Sequence, residues 1–158
     1  MAYYTQVLQP DEKVLVVGRL HWSIYTHAVL ILLLAVVLAV GAFWIPDPNA
    51  RDIGQHIAWL AAAALAVLGL LVLLGAWIRR HATEIVVTDR RVIYKRGILS
   101  RHTVEMNVSK IETVDVEQGL WARMMGYGTL LIRGTGSGIE PLRRVGHPLA
   151  IRNAIVAG

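Results

Sequence analysis

The chain has no cysteine among its 158 residues. Disulfides, thiolate metal sites and cysteine nucleophiles are therefore excluded. Charge is also scarce. Asp, Glu, Lys and Arg make up 17% of the residues, against about 25% in an ordinary soluble domain. With 55% of the chain apolar, the shortfall implies that part of it avoids water. The formal net charge of +5 is unevenly placed: from Arg79 onward thirteen basic residues stand against seven acidic ones.

Two runs account for the missing charge. "AVLILLLAVVLAVGAFWI", Ala28–Ile45, and "IAWLAAAALAVLGLLVLLGAWI", Ile57–Ile78, carry no charged side chain. Each is close to the roughly 20 apolar residues that cross a bilayer as a helix. Trp22, Trp44, Trp59 and Trp77 mark the four ends, with Tyr25 near the first. Indoles favour the membrane interface, where the ring is half buried and its N–H finds a partner. The pattern predicts a lead-in over residues 1–23, a first transmembrane helix over 24–45, a short external loop over 46–56 and a second helix over 57–78. "RRH" closes the second run at Arg79–His81, and the loop is slightly acidic. The positive-inside rule then puts the loop outside and both chain ends in the cytoplasm. Ala58, Ala62 and Ala66, spaced by four, predict a helix-packing face.

Past Arg80 the pattern becomes β. "TEIVV", "RVIYKR", "ILSRHTVEM", "KIETVDVEQ", "TLLIRG" and "IEPLRRV" read as six strands. Ile85, Val87, Ile93 and Ile98 are expected to face the core. The alternation in "KIETVDVEQ" slips near Thr113, which predicts a bulge. "LWARMMG" reads as a helical turn ended by Gly126. "HPLAIRNAIVA" reads as an amphipathic helix starting near Pro148, with Leu149, Ile151 or Arg152, Ile155 and Val156 on one side. A seventh strand is predicted before the first apolar run, in "EKVLVVGRL", Glu12–Leu20. It is expected to pair with the C-terminal sheet, making one β-domain interrupted by a membrane hairpin.

No catalytic constellation is legible, no cofactor is implied, and the chain reads as non-enzymatic. The six histidines make no i, i+4 pair and no H-E-x-x-H helix. "RGTGSG", Arg133–Gly138, lies between two strands and lacks the helix and Lys-Ser/Thr of a phosphate loop. Neither apolar run carries a charge that could form an ion pathway.

The stretch "VTDRRVIYKRGILSR" concentrates Arg90, Arg91, Lys95, Arg96 and Arg101. Three readings compete: the solvated face and turns of a hairpin, contact with anionic lipid, and contact with a protein partner. Nucleic acid is disfavoured because Tyr94 is the only aromatic available for stacking. Arg79 and Arg80 are expected at the cytoplasmic headgroups, where each base is attracted by about 1 kcal/mol.

The segments "TDRRVIYKRGIL" and "KIETVDVEQGLWARMMGYGTL", the glycine-bearing hairpin that follows, the two preceding spans and the lead-in "LQPDEKVLVVGRLHW" resemble the bacterial pleckstrin-homology-like domain of YdbS-like membrane proteins. The resemblance covers nearly the whole chain. It implies a membrane α-helical hairpin plus a partly open β-barrel of about seven strands with a C-terminal helix, in the bacterial cytoplasmic membrane. Some members of that family are linked to export of, or resistance to, antimicrobial peptides. The functional expectations are a membrane-anchored adaptor or accessory subunit binding a protein partner or a second copy of itself, an anionic-lipid headgroup module, or a subunit of a peptide-export system.

Overall fold

The computed structural model describes residues 8–44, 51–97, 102–135 and 138–157. Residues 46–50 of the predicted external loop, Ile98 and Arg101 of the basic hairpin, and residues 136–137 of the "GSG" turn lie outside the described residues. The chain divides into two compact units. One is Trp22–Ile78, and the other joins Met1–His21 to Arg79–Gly158.

The first unit is a pair of helices. A 3-10 turn over Trp22–Tyr25 leads into α1 (Thr26–Ala42), and α2 runs Arg51–Ala82. The helix α2 thus takes in residues 51–56, which the sequence reading assigned to the loop. Those residues are mostly polar, with Ile53 and Gly54 among them, but contain no proline and lie downstream of Pro46 and Pro48, so no proline stops the helix there. The predicted four-residue row is replaced by a seven-residue one. Ala28, Ala35 and Ala42 are buried on α1, and Ala62, Gly69 and Ala76 on α2. Ala58 and Ala66 are only half-buried. A repeat of seven keeps a seam facing its partner as two helices supercoil, whereas a row at spacing four drifts around the helix. The seam is tight: a Cβ on Gly69 would lie 2.7 Å from Leu32 Cδ2 and 2.8 Å from its Cγ. Phe43 meets Trp59 edge-on at 5.1 Å, so the helices run antiparallel. Outside the seam the surface is apolar, and in the most apolar 18 residues of each helical stretch, Trp22–Ala42 and Ile53–Ala82, only 11% are buried. Both stretches are long and apolar enough to cross a membrane.

The second unit has seven strands. Sheet one has the order β1 (Val14–Gly18), β2 (Glu84–Thr88), β3 (Arg91–Arg96), β4 (His102–Asn107). Sheet two has the order β5 (Ile111–Glu117), β6 (Tyr127–Gly134), β7 (Gly138–Gly146). All neighbours are antiparallel. The lead-in strand lies on β2, with Val16 opposite Val87 and Gly18 opposite Ile85. Residues separated by the entire helix pair therefore share one sheet. The sheets touch through a bridge between Leu20 and Val145. On the other side the barrel stays open, because β4 and β5 are joined only by a 3-10 turn over Val108–Lys110. The bulge predicted near Thr113 is present as a register shift between Ile111 and Thr113.

The core comprises Ile85, Val87, Val92, Tyr94, Met106, Leu130, Ile132, Ile139, Leu142 and Val145 from both sheets. Helix α4 (Pro148–Ala157) adds Ile151 and Ile155. Ile93 is buried, but not in this cluster. Strand side chains alternate, so Val92 and Tyr94 point inward and Ile93 points outward, level with Val86. Leu149 and Val156, expected on the apolar side of α4, are 53% and 69% exposed. The helix caps the barrel along the narrower stripe Pro148, Ile151, Ile155. Helix α3 (Leu120–Met125) links β5 to β6 and ends at Gly126, whose φ of 76° is the left-handed cap that glycine adopts without strain.

Candidate functional site

The structure separates the basic residues that the sequence places together. Arg90 and Arg91 lie at the turn end of β2–β3. Lys95 and Arg96 lie at the other end, where Lys95 stands opposite Glu84. Four residues of strand, about 13 Å, separate Arg91 from Lys95.

At the turn end Arg91 is part of a clamp. Its Nε and Nη2 donate to Glu12 Oε1 and Oε2 at 2.9 and 2.8 Å. Its Nη1 donates to Glu105 Oε2 at 2.7 Å. The Thr88 hydroxyl donates to Glu12 Oε1 at 2.8 Å, and the Gln9 amide N–H donates to Oε2 at 2.9 Å. The Glu12 side chain has no exposure. The Arg91 hydrogen bonds hold its carboxyl at about 2, well below the usual 4.5, against the opposing effect of burial. Asp89 and Lys13 add a reciprocal pair, Lys13 N–H to Asp89 Oδ1 and Asp89 N–H to Lys13 C=O, both 3.1 Å. Arg90 is exposed and reaches Gln9 Oε1 at 3.4 Å. Arg91 therefore ties the lead-in to the β2–β3 hairpin. The sequence reading missed Glu12 as its partner. The two residues are 79 positions apart, and only the β1–β2 register brings them together.

The other end is the corner where the chain passes into the helix pair. Arg79, Arg80 and His81 form the last turn of α2, where basic side chains complement the helix dipole. Arg19 and His21 leave β1 at the same corner and are fastened to β7. The His21 N–H donates to Arg144 C=O at 2.7 Å, and the Gly146 N–H donates to Arg19 C=O at 3.0 Å. Arg144 and His147 both have positive φ, 58° and 50°. For residues with a Cβ this is a strained backbone that the surrounding structure must hold. The His21 ring stacks on Tyr127 at 5.1 Å. Burial lowers the His21 pKa, and the nearby Arg80 and His147 charges lower it further. Bases from four segments thus converge here: Arg19 and His21, Arg79 to His81, Lys95 and Arg96, and Arg144 with His147.

The aromatic set falls into two levels. Antiparallel packing puts Trp22, Tyr25 and Trp77 at one end of the pair and Trp44 and Trp59 at the other. Trp22, Trp44 and Trp77 are 52%, 81% and 51% exposed, Trp59 is 39% exposed, and Tyr25 is half-buried. At 1.5 Å per residue, Trp22 to Trp44 spans about 33 Å and Trp59 to Trp77 about 27 Å. Tyr94 is buried in the barrel at 7% exposure, so it offers no stacking surface. Among the described residues no group of three or more His, Asp or Glu could hold a metal ion.

Two packed sheets in a partly open seven-stranded barrel, capped by a C-terminal helix, define a pleckstrin-homology-like domain. The chain belongs to the bacterial PH domain family, whose family model matches residues 14–157. That match runs from the first residue of β1 to the last of α4. No curated protein and no solved structure matches the chain.

Proposed function

We propose that the protein is a non-enzymatic, membrane-anchored adaptor or accessory subunit. Its helix pair crosses the bacterial cytoplasmic membrane as a hairpin, and its PH-like domain binds a protein partner at the cytoplasmic face. The hairpin reading is supported by the β1–β2 pairing. A domain built from both sides of the helix pair keeps both helix ends on one side of a bilayer. The tryptophan levels lie about 27–33 Å apart, matching the roughly 30 Å hydrocarbon layer. Two exposed apolar helices are poorly suited to water and well suited to lipid.

The observation that carries the adaptor reading is the open seam. Sheet one ends at β4 and sheet two at β5, each with a strand neighbour on one side only. Such edges accept an added strand from another chain. Purified from its own membranes in mild detergent, the full chain is expected in an assembly larger than a monomer. Thr113→Pro on the β5 edge should release it, since proline cannot donate to a new ladder. A monomer in the unmodified protein contradicts the reading.

The basic corner favours a second reading, recognition of anionic headgroups. In nanodiscs of mixed lipid, Arg79→Gln with Arg80→Gln should lower anionic-lipid affinity about thirtyfold, at about 1 kcal/mol per base. Arg90→Gln, at the far end of the hairpin, should leave it unchanged. Equal effects of the two would exclude that role. A part in peptide export would need further subunits, because neither apolar run carries a charge of its own.

A further inference from the structure

Helix α3 is short, rigid and apolar on its outer side. Leu120, Trp121 and Met124 are 84%, 73% and 78% exposed, and Met125 is 45% exposed. At 100° per residue these four positions fall within one arc of about 140°. Arg123 is the helix's only charged residue. The helix is held firmly at both ends. Gln118 Nε2 donates to Tyr127 C=O at 2.7 Å. Gly126 closes the last turn, and its carbonyl accepts the His147 N–H at 2.9 Å. An apolar surface of this kind on a fixed element marks an interaction site.

Its position says what covers it. Gly126 connects α3 directly to Tyr127, whose ring lies on His21. The next residue, Trp22, opens the 3-10 turn that leads into the first apolar helix. About 9 Å of helix separates Leu120 from that stack. The patch is therefore one short helix away from His21, the residue at which the chain leaves the β-domain, and it carries Arg123 beside it. Tryptophan and leucine facing out beside arginine is the composition of a helix lying in a bilayer interface.

We propose that α3 is a third membrane contact, with Leu120, Trp121 and Met124 inserted at the headgroup–acyl boundary of the cytoplasmic leaflet and Arg123 at its phosphates. This rests on the reading that the helix pair crosses the bilayer.

The absence of native cysteine makes single-site spin labels unambiguous. The full chain would be reconstituted in vesicles containing phosphatidylglycerol and labelled at Met124→Cys, at Leu34→Cys in the first apolar helix, or at Glu112→Cys at the far end of β5. Collision with oxygen relative to a water-soluble nickel chelate reports depth. The Met124 label should show a ratio about threefold or more above Glu112 and below Leu34, as expected at 5–10 Å depth. A deep Leu34 label with Met124 as aqueous as Glu112 overturns the α3 contact and leaves the spanning reading intact. An aqueous Leu34 label overturns the spanning reading and the contact that rests on it. A Met124 label that collides with neither reagent and broadens with protein density means that a second copy covers the patch, which also overturns the proposal.

Discussion

Glu12 shows how one residue fastens the interrupted domain. Its carboxylate is buried and satisfied by Arg91, Thr88 and the Gln9 amide. With a carboxyl pKa near 2 in the folded chain and 4.5 as the ordinary value, the pair stabilises the fold fully above about pH 4.5. That stabilisation is lost as pH falls toward 2, because the folded state must then give up an ionised carboxylate that the unfolded state has already protonated. The difference corresponds to about 3 kcal/mol. Glu12→Gln should therefore lower the thermal midpoint of the detergent-solubilised protein at pH 7. The gap to the unmodified protein should shrink at pH 3. A midpoint at pH 7 unaffected by Glu12→Gln would mean that the clamp adds nothing. Replacing Arg91 instead should be at least as costly, since it leaves Glu12 buried without its charge partner. Little of this is legible in the sequence. "TDRR" reads as a turn with surface charge, and nothing local distinguishes Arg90, which is exposed, from Arg91, which is clamped.

At the scale of elements, the strands were legible because side-chain alternation and turn residues are local signals. Each of the six strands predicted after the helix pair, and the one before it, has an observed counterpart, the third from His102 onward since 98–101 lie outside the described residues, and even the slip at Thr113 is a real register shift. Facing is less legible. Ile93 and Tyr94 are both buried, yet the apolar partner beneath Ile93 is Val86 of a neighbouring strand, and composition alone favours isoleucine over tyrosine for the core. The helix seam is less legible for a related reason. "AAAALA" offers small residues at every spacing, and only the packed pair selects Ala62, Gly69 and Ala76. Gly69 and Gly75 separate packing from propensity. Gly69→Ala pushes a Cβ into Leu32 and should cost about 1–3 kcal/mol. A Cβ at Gly75 meets nothing within 4 Å, so Gly75→Ala should be neutral or stabilise by about 0.5–1 kcal/mol through the better helix former. Thermal unfolding of the two variants in one detergent checks this. Equal effects would contradict the heptad seam.

At the scale of the molecule, the placement of the helix pair within the domain defines the design. Inserting two apolar helices between β1 and β2 gives the barrel two covalent links to the helices at one corner, and the bases gather at that corner. A domain merely following a membrane anchor would have one link and could swing about it. Two links tie both ends of the helix pair to the same domain. The direct test uses single cysteines and a membrane-impermeant thiol reagent on sealed, right-side-out vesicles. Leu15→Cys in β1 and Leu149→Cys in α4 are exposed positions on the two sides of the helix pair in sequence, and Asn49→Cys lies between the helices. Labelling at residue 49 from outside, with residues 15 and 149 both protected until the vesicles are opened, is the result predicted. Outside labelling at either 15 or 149, or protection of 49, would contradict a single domain held on the inner face by a membrane hairpin.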